Sequence, residues 1–166
     1  MPDLLKVHLG CGPNVMPGWV NVDYNPDFNP EVVADLNDAF PFASGTVDFI
    51  HSEGCLCQFN LEAGTRFLAE CFRILKPGGR LAISDIVATA KLPEEIRKDL
   101  ALVCACVGGA ATIDDTVAML NKVGFQDVTV KSKDESRKLI QQWAPDKSKN
   151  AGDYIVSAYI EAVKPF

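Results

Sequence analysis

The sequence predicts an α/β protein with a doubly wound, mostly parallel, seven-stranded Rossmann-like sheet. Short apolar runs alternate with amphipathic segments through most of the 166 residues, and this alternation is typical of parallel strands with helices on both faces. A glycine loop directly follows the first apolar run, as in nucleotide-binding sheets. The last two runs are separated by a long excursion, which predicts a C-terminal antiparallel strand pair.

The strands are predicted from apolar runs bounded by turn residues. Val47–His51, for example, follows the turn-like stretch ASGT, and Arg80–Val87 follows two glycines. The predicted strands are Leu5–Leu9, Trp19–Val22, Glu31–Ala34, Val47–His51, Arg80–Val87, Asp127–Lys131 and Tyr154–Val163.

The helices are predicted from apolar residues that recur every three or four positions and from their end signals. Ala63–Leu75 stops at the sequence KPGG, and Thr112–Val123 begins at a capping threonine and ends at Gly124. The predicted helices are Ala63–Leu75, Pro93–Val107, Thr112–Val123 and Glu135–Trp143. Only one helical turn fits between the first two strands, so that helix is expected to be short or missing.

Composition limits the class of protein. The length and the apolar content of 48% fit a single domain over residues 1–166 with a sizeable core. A net charge of −6 repels phosphate backbones, so no nucleic-acid partner is expected. The longest apolar run, near Leu100–Ala111, is too short to cross a membrane, and the first residues show no signal-peptide layout. We therefore expect a cytoplasmic protein without a membrane partner, and oligomeric state is left open.

The six cysteines are expected to be thiols in that compartment. They do not form a CxxC pair, so a zinc ribbon is not indicated. Thiols in such a protein are core residues, metal ligands or reactive groups.

The stretch HLGCGPNVMPGWVNVD, His8–Asp23, contains the most informative motif. Gly10 and Gly12 end the first strand, where glycine lets backbone N–H groups approach a ligand closely. The dinucleotide pattern GxGxxG fails because Val15 stands at the third glycine position. The ten residues between Gly12 and Asp23 also leave no room for the helix on which a pyrophosphate rests.

A nucleoside without a diphosphate fits this stretch better. Asp23 ends the second strand, where a carboxylate can accept hydrogen bonds from both hydroxyls of a ribose. Asp35 and Leu36 follow the third strand and can meet the edge of a base. S-adenosylmethionine is the common ligand of this kind.

These residues resemble the class I S-adenosylmethionine-dependent methyltransferase family. The resemblance rests on LGCG, on Asp23, on Asp35-Leu36 and on ECFRILKPGGRLAISD, and it covers nearly the whole chain. It departs from the family at His8, where an acid that helps to hold the cofactor is usual. The cofactor-binding residues that it implies are His8, Leu9, Gly10, Cys11, Gly12, Asp23, Tyr24, Asp35, Leu36 and Ser52.

A second resemblance, over about Asp48–Pro165, is to the arsenite methyltransferases. That family has a cysteine just after the fourth strand and another in a CxGGA setting, which HSEGCLC and ACVGGA resemble here. The resemblance implies that Cys106 and one or both of Cys55 and Cys57 hold trivalent arsenic for methylation. Thiolates suit this soft centre. Further cysteines that the family usually has before the glycine loop are not in this sequence.

Three hypotheses follow. The favoured one is an S-adenosylmethionine-dependent methyltransferase whose acceptor is thiol-bound trivalent arsenic. The second is a methyltransferase of a small organic acceptor in which the cysteines only pack. The third is a degenerate cofactor-binding module without turnover.

Overall fold

A computed structural model gives the architecture and describes residues 4–98, 109–143 and 151–166. Within these ranges seven strands form one sheet in the order β3-β2-β1-β4-β5-β7-β6. The strands are β1 Lys6–Leu9, β2 Val20–Asp23, β3 Val32–Val33, β4 Val47–Glu53, β5 Leu75–Ala88, β6 Gln126–Lys133 and β7 Ile155–Val163. The predicted Rossmann-like class is confirmed.

The first five strands in the sheet order are parallel, and β7 runs antiparallel to both of its neighbours. The predicted antiparallel pair of β6 and β7 is therefore confirmed. In addition, β7 lies between β5 and β6, and Arg80 to Ala88 pair with Val163 to Ile155. This insertion makes β5 a central strand whose carboxyl end points to the same edge as those of β1 and β4.

The KPGG segment does not act as a simple helix stop. The preceding helix ends at Ile74 and the chain enters β5 at once, so Lys76–Gly79 lie within the strand. The register with β4 shifts there, because Val47 pairs with Leu75 whereas Phe49 pairs with Arg80. The glycines thus accommodate a bulge in the strand, and the prediction that β5 begins at Arg80 was wrong.

The helices are α1 Leu61–Ile74, α2 Glu94–Arg97, α3 Ile113–Val123 and α4 Ser136–Trp143. Thr112 caps α3 by accepting the backbone N–H of Asp115, and Gly124 ends it in the left-handed region, both as predicted. The predicted helix Pro93–Val107 is described only as far as Lys98, so most of it lies outside the described residues. The segment between β1 and β2 contains turns and no helix, as expected.

The helices cover the sheet from two sides. Leu81, Ile83 and Val87 of β5 belong to the main core, which also contains Leu68 of α1 and Leu120 of α3. The alternate residue Ala88 and its partner Ile155 pack instead with Ile140 of α4. Since side chains alternate along a strand, α4 lies on the face opposite α1 and α3. Among the described residues, no helix is long and apolar enough to cross a membrane.

Candidate functional site

The glycine loop lies at the carboxyl edge of the sheet. The backbone N–H groups of Gly10 and Cys11 both donate to the carbonyl oxygen of Val22, at 2.8 and 3.1 Å, which ties the loop to the end of β2. Gly10 and Gly12 have φ angles of +67° and +51°, a region that other residues rarely adopt. A Cβ atom at Gly12 would meet nothing within 4 Å, so its backbone faces open space where a ligand can approach.

Asp23 is the last residue of β2 and is 6% exposed. One carboxylate oxygen accepts the N–H of Gly12 and the other accepts the N–H of Asn25, each at 2.9 Å. A carboxylate oxygen has two acceptor sites, so each can still accept a hydroxyl. The sequence placed Asp23 correctly at this edge, and the structure adds that it holds the glycine loop.

His8 is buried within a polar network that the sequence did not reveal. Its Nδ1 lies 3.2 Å from Oδ1 of Asn21, and the Asn21 side-chain amide donates to Glu31 and to the carbonyls of Met16 and Trp19. The same Oδ1 accepts the N–H of Met16. Because the Asn21 Oδ1 can only accept hydrogen bonds, the His8 Nδ1 is the donor in this pair.

The other ring nitrogen of His8, Nε2, has no hydrogen-bond partner among the described residues. Burial lowers the pKa of His8, which keeps the ring neutral near pH 7. A neutral ring that is protonated at Nδ1 carries a lone pair at Nε2. His8 therefore presents a buried hydrogen-bond acceptor, which is also what an acid supplies.

The other implied cofactor residues fall into buried and exposed groups. Leu9 is fully buried, and Ser52, its partner on β4, is also buried and has no hydrogen-bond partner for Oγ among the described residues. Tyr24, in contrast, is 75% exposed beyond β2.

Asp35 and Leu36 do not immediately follow a strand, because β3 ends at Val33 rather than at the predicted Ala34. Asp35 is exposed and accepts hydrogen bonds from the backbone and side chain of Asn37, which lower its pKa. Leu36 reaches the glycine loop, where its Cδ1 lies 3.8 Å from the Cβ position of Gly10. Leu36 thus remains at the predicted edge, whereas the contacts of the Asp35 carboxylate are with Asn37.

Cys55 and Cys57 follow β4, but they take different positions. The Sγ of Cys55 lies 3.1 Å from the Cβ position of Gly10, and Cys55 belongs to the main core. Cys57 lies in the short 3-10 turn Leu56–Gln58 and lines a groove. Of the two residues that the sequence left open, Cys57 is the one at the groove, and Cys55 packs beneath the glycine loop.

The groove is open to solvent and has a volume of about 980 Å³. It runs between the turn after β4, the segment after β5 and the start of α3. A Cβ atom at Gly109 would lie 3.3 Å from the carbonyl oxygen of Cys57, so the segment before α3 packs against the turn. Residues that line it include Cys57, Phe59, Lys91, Leu92, Gly109 and Thr112.

Asp85 is a buried acid beside Cys57 that sequence reasoning did not assign. Its Oδ2 accepts the N–H of Cys57 at 3.2 Å, and its Oδ1 accepts the N–H of Ile86 at 2.8 Å. Burial raises the pKa of the Asp85 carboxyl, and hydrogen bonds from the thiol and backbone of Cys57 oppose that rise. The available signal was an acid, in Ser84-Asp85, inside the otherwise apolar residues 81–88 of β5.

The remaining cysteines are a mixed group. Burial raises the pKa of Cys11, with Asp23 adding to the effect, and it raises the pKa of Cys71 well above the ordinary value. Cys71 is fully buried on α1, as predicted. Cys106, the third predicted arsenic ligand, lies outside the described residues, as does Cys104. In the described part of the chain, no three His, Cys, Asp or Glu side chains cluster as a metal site would require.

Comparisons with known proteins agree with this arrangement. Residues 8–83 match a family described as a methyltransferase domain. The chain is 42% identical over 146 residues to a protein of Halobacterium salinarum named arsenite methyltransferase. The aligned region covers 87% of this chain and 36% of that protein. The chain thus spans about a third of that relative's length.

Two solved structures share the fold. One is a phosphoethanolamine N-methyltransferase 2 of Haemonchus contortus with S-adenosylhomocysteine, with a TM-score of 0.75 and 17% identity over 100% of this chain and 50% of the other. The second is an arsenic(III) S-adenosylmethionine methyltransferase of Chlamydomonas reinhardtii, with a TM-score of 0.65 and 17% identity. That match covers 99% of this chain and 64% of the other. The sequence match, the strand order and the glycine loop together identify a methyltransferase domain that is similar in sequence to arsenite methyltransferases.

Proposed function

We propose that this chain transfers a methyl group from S-adenosylmethionine to thiol-bound trivalent arsenic. One observation carries the proposal: a single turn joins the cofactor loop to the acceptor groove. Cys55 packs against Gly10 of the loop, and Cys57, two residues later, lines the groove. A donor held at the glycines and an acceptor held at Cys57 would therefore be neighbours.

The residues at the edge fit the cofactor. Asp23 retains acceptor sites for a ribose, and the backbone of Gly12 faces open space. His8 offers Nε2 as an acceptor where the family usually has an acid, so the substitution preserves the kind of hydrogen bond that an ammonium group needs. The unpartnered Oγ of Ser52 on the neighbouring strand is a second polar atom that a ligand could satisfy.

The acceptor is inferred from the thiols. Trivalent arsenic prefers sulfur ligands, and the groove presents Cys57. Cys106 precedes Gly109 by three residues, which a chain spans with at most about 11 Å. Because Gly109 packs against Cys57, the proposed ligands are Cys57 and Cys106. Cys55 then serves to support the loop.

In the proposed mechanism the chain acts mainly by positioning. The bound cofactor supplies an electrophilic methyl group on a sulfonium sulfur. Cys57 and Cys106 would fix the arsenic so that its lone pair points toward the glycine loop. A lone pair carries no proton, so this transfer requires no general base, and catalysis comes from alignment of the two reactants.

Arsenite binding and methylation test the proposal. We expect about one trivalent arsenic per chain by the thiol chemistry above, protection of Cys57 and Cys106 from alkylation, and methylated arsenic when cofactor and a thiol reductant are added. Cys57→Ser and Cys106→Ser should abolish binding, because a hydroxyl is a harder and weaker ligand than a thiolate. Cys71→Ser is the matched control and should bind normally.

Two results would contradict this assignment. Arsenic binding that survives Cys106→Ser would remove the thiol site and make a small organic acceptor the leading alternative. Cofactor binding without turnover on arsenite or on any organic acceptor would favour a module without activity.

A further inference from the structure

The Cys57 turn rests on one buried carboxylate. The short helix Leu56–Gln58 has no side-chain cap from Cys55, the residue before it. One backbone N–H of this helix, that of Cys57, is donated instead to Asp85 at 3.2 Å. Asp85 is 28 residues away in sequence and only 6% exposed.

The same carboxylate also contacts the thiol. The Cys57 side chain donates a hydrogen bond to Asp85, so both the backbone and the sulfur of this residue are held by one group. The second oxygen of Asp85 is anchored to the N–H of Ile86 on its own strand at 2.8 Å. Asp85 therefore connects β5 to the turn that follows β4.

We propose that Asp85 is the positioning residue of the acceptor site, which holds the Leu56–Gln58 turn over β5 and thereby keeps the Cys57 sulfur at the groove. That arsenic binds at the Cys57 sulfur rests on the proposed function, whereas the orientation of the Cys57 thiol by Asp85 does not. The neighbouring Cys55 packs against Gly10. Asp85 thus holds the Cys57 side of this turn in place.

Mass-spectrometric mapping of modified cysteines tests this role with two reagents. Phenylarsine oxide reports soft trivalent binding, and iodoacetamide reports thiol placement alone. We expect Asp85→Ala to lower modification of Cys57 by phenylarsine oxide roughly tenfold, as expected when a hydrogen bond to a charged group is lost. Asp85→Asn keeps one acceptor oxygen and should recover part of this loss, and it serves as the test if the alanine variant does not fold.

The matched control is Asp48→Ala. Asp48 also accepts a backbone N–H, that of Leu5 at 2.8 Å, but at the start of β4 and away from the groove. Its replacement should leave the labelling of Cys57 unchanged if the role of Asp85 is specific, and thermal unfolding of each variant separates labelling from stability.

Two outcomes distinguish this proposal from the proposed function. Equal labelling of Cys57 in the wild type, Asp85→Ala and Asp85→Asn by both reagents would overturn the role of Asp85, even if arsenite is methylated. Labelling by iodoacetamide that changes with Asp85, in a chain that binds no arsenical, would support the positioning role and refute the arsenic acceptor.

Discussion

The rings of His8 and His51 face each other on neighbouring parallel strands, with their centroids 5.0 Å apart. Burial lowers the pKa of both histidines, and the neighbouring His51 lowers the pKa of His8 further. The hydrogen bond with Asn21, and then Glu53 and Asp23, raise the pKa of His8 but do not outweigh burial. The folded state therefore prefers both rings neutral.

This preference predicts a loss of stability in mild acid. At pH values below 6.5, the ordinary pKa of histidine, the unfolded chain binds protons more readily than the folded chain does. The free energy of unfolding should thus fall as pH drops from 6.5 toward 5, because each of the two histidines can take up a proton on unfolding. Urea titrations at several pH values measure this, and His51→Gln should flatten the slope. The carboxylates with lowered pKa, such as Glu70, act only at lower pH. A slope unchanged in His51→Gln would exclude this origin.

Replacing Asp23 should weaken binding of the cofactor. Asp23→Ala removes an acceptor from the ribose and the anchor of the Gly12 N–H at 2.9 Å. We expect affinity for S-adenosylhomocysteine to fall about tenfold or more, measured by calorimetric titration. Asp27→Ala, an exposed acid beyond the same strand, is the control. Equal affinities for the wild type and Asp23→Ala would defeat the ribose assignment.

Two glycine variants separate backbone strain from steric clash. Gly10→Ala and Gly12→Ala both place a Cβ in the left-handed region, which costs about 1–2 kcal/mol. At Gly10 the new atom would also lie 3.1 Å from the Cys55 sulfur, whereas at Gly12 it meets open space. Gly10→Ala should therefore lower the free energy of unfolding further. Cys55→Ala should recover only part of the difference, because the Cys55 Cβ remains at 3.2 Å. Equal losses in the free energy of unfolding for Gly10→Ala and Gly12→Ala would show that small shifts relieve the clash with Cys55.

Cys71 provides a test of packing without function. Its side chain is fully buried in the main core, so Cys71→Ser buries a hydroxyl and should cost about 1–3 kcal/mol. Chemical denaturation measures the loss. Cofactor and arsenite binding should stay unchanged in the folded fraction, and a loss of either would place Cys71 in the site.

The sequence alone determined the parts of this protein that depend on local signals. Alternating apolar runs predicted the parallel sheet, and Thr112 and Gly124 marked the ends of α3, because strand and helix periodicity and capping act within a few residues. The glycines and Asp23 were likewise placed correctly at the carboxyl edge of the sheet, since they lie at strand ends.

Only the tertiary structure decided which side chains meet across the edge. The pairing of Asp85 with Cys57, the separation of Cys55 from Cys57, and the buried His8–Asn21 network join residues from different strands. Their contacts depend on strand order and register, which in turn depend on the insertion of β7 and the shift at KPGG. These arise from packing and hydrogen bonding between distant segments, so no local pattern in the sequence specifies them.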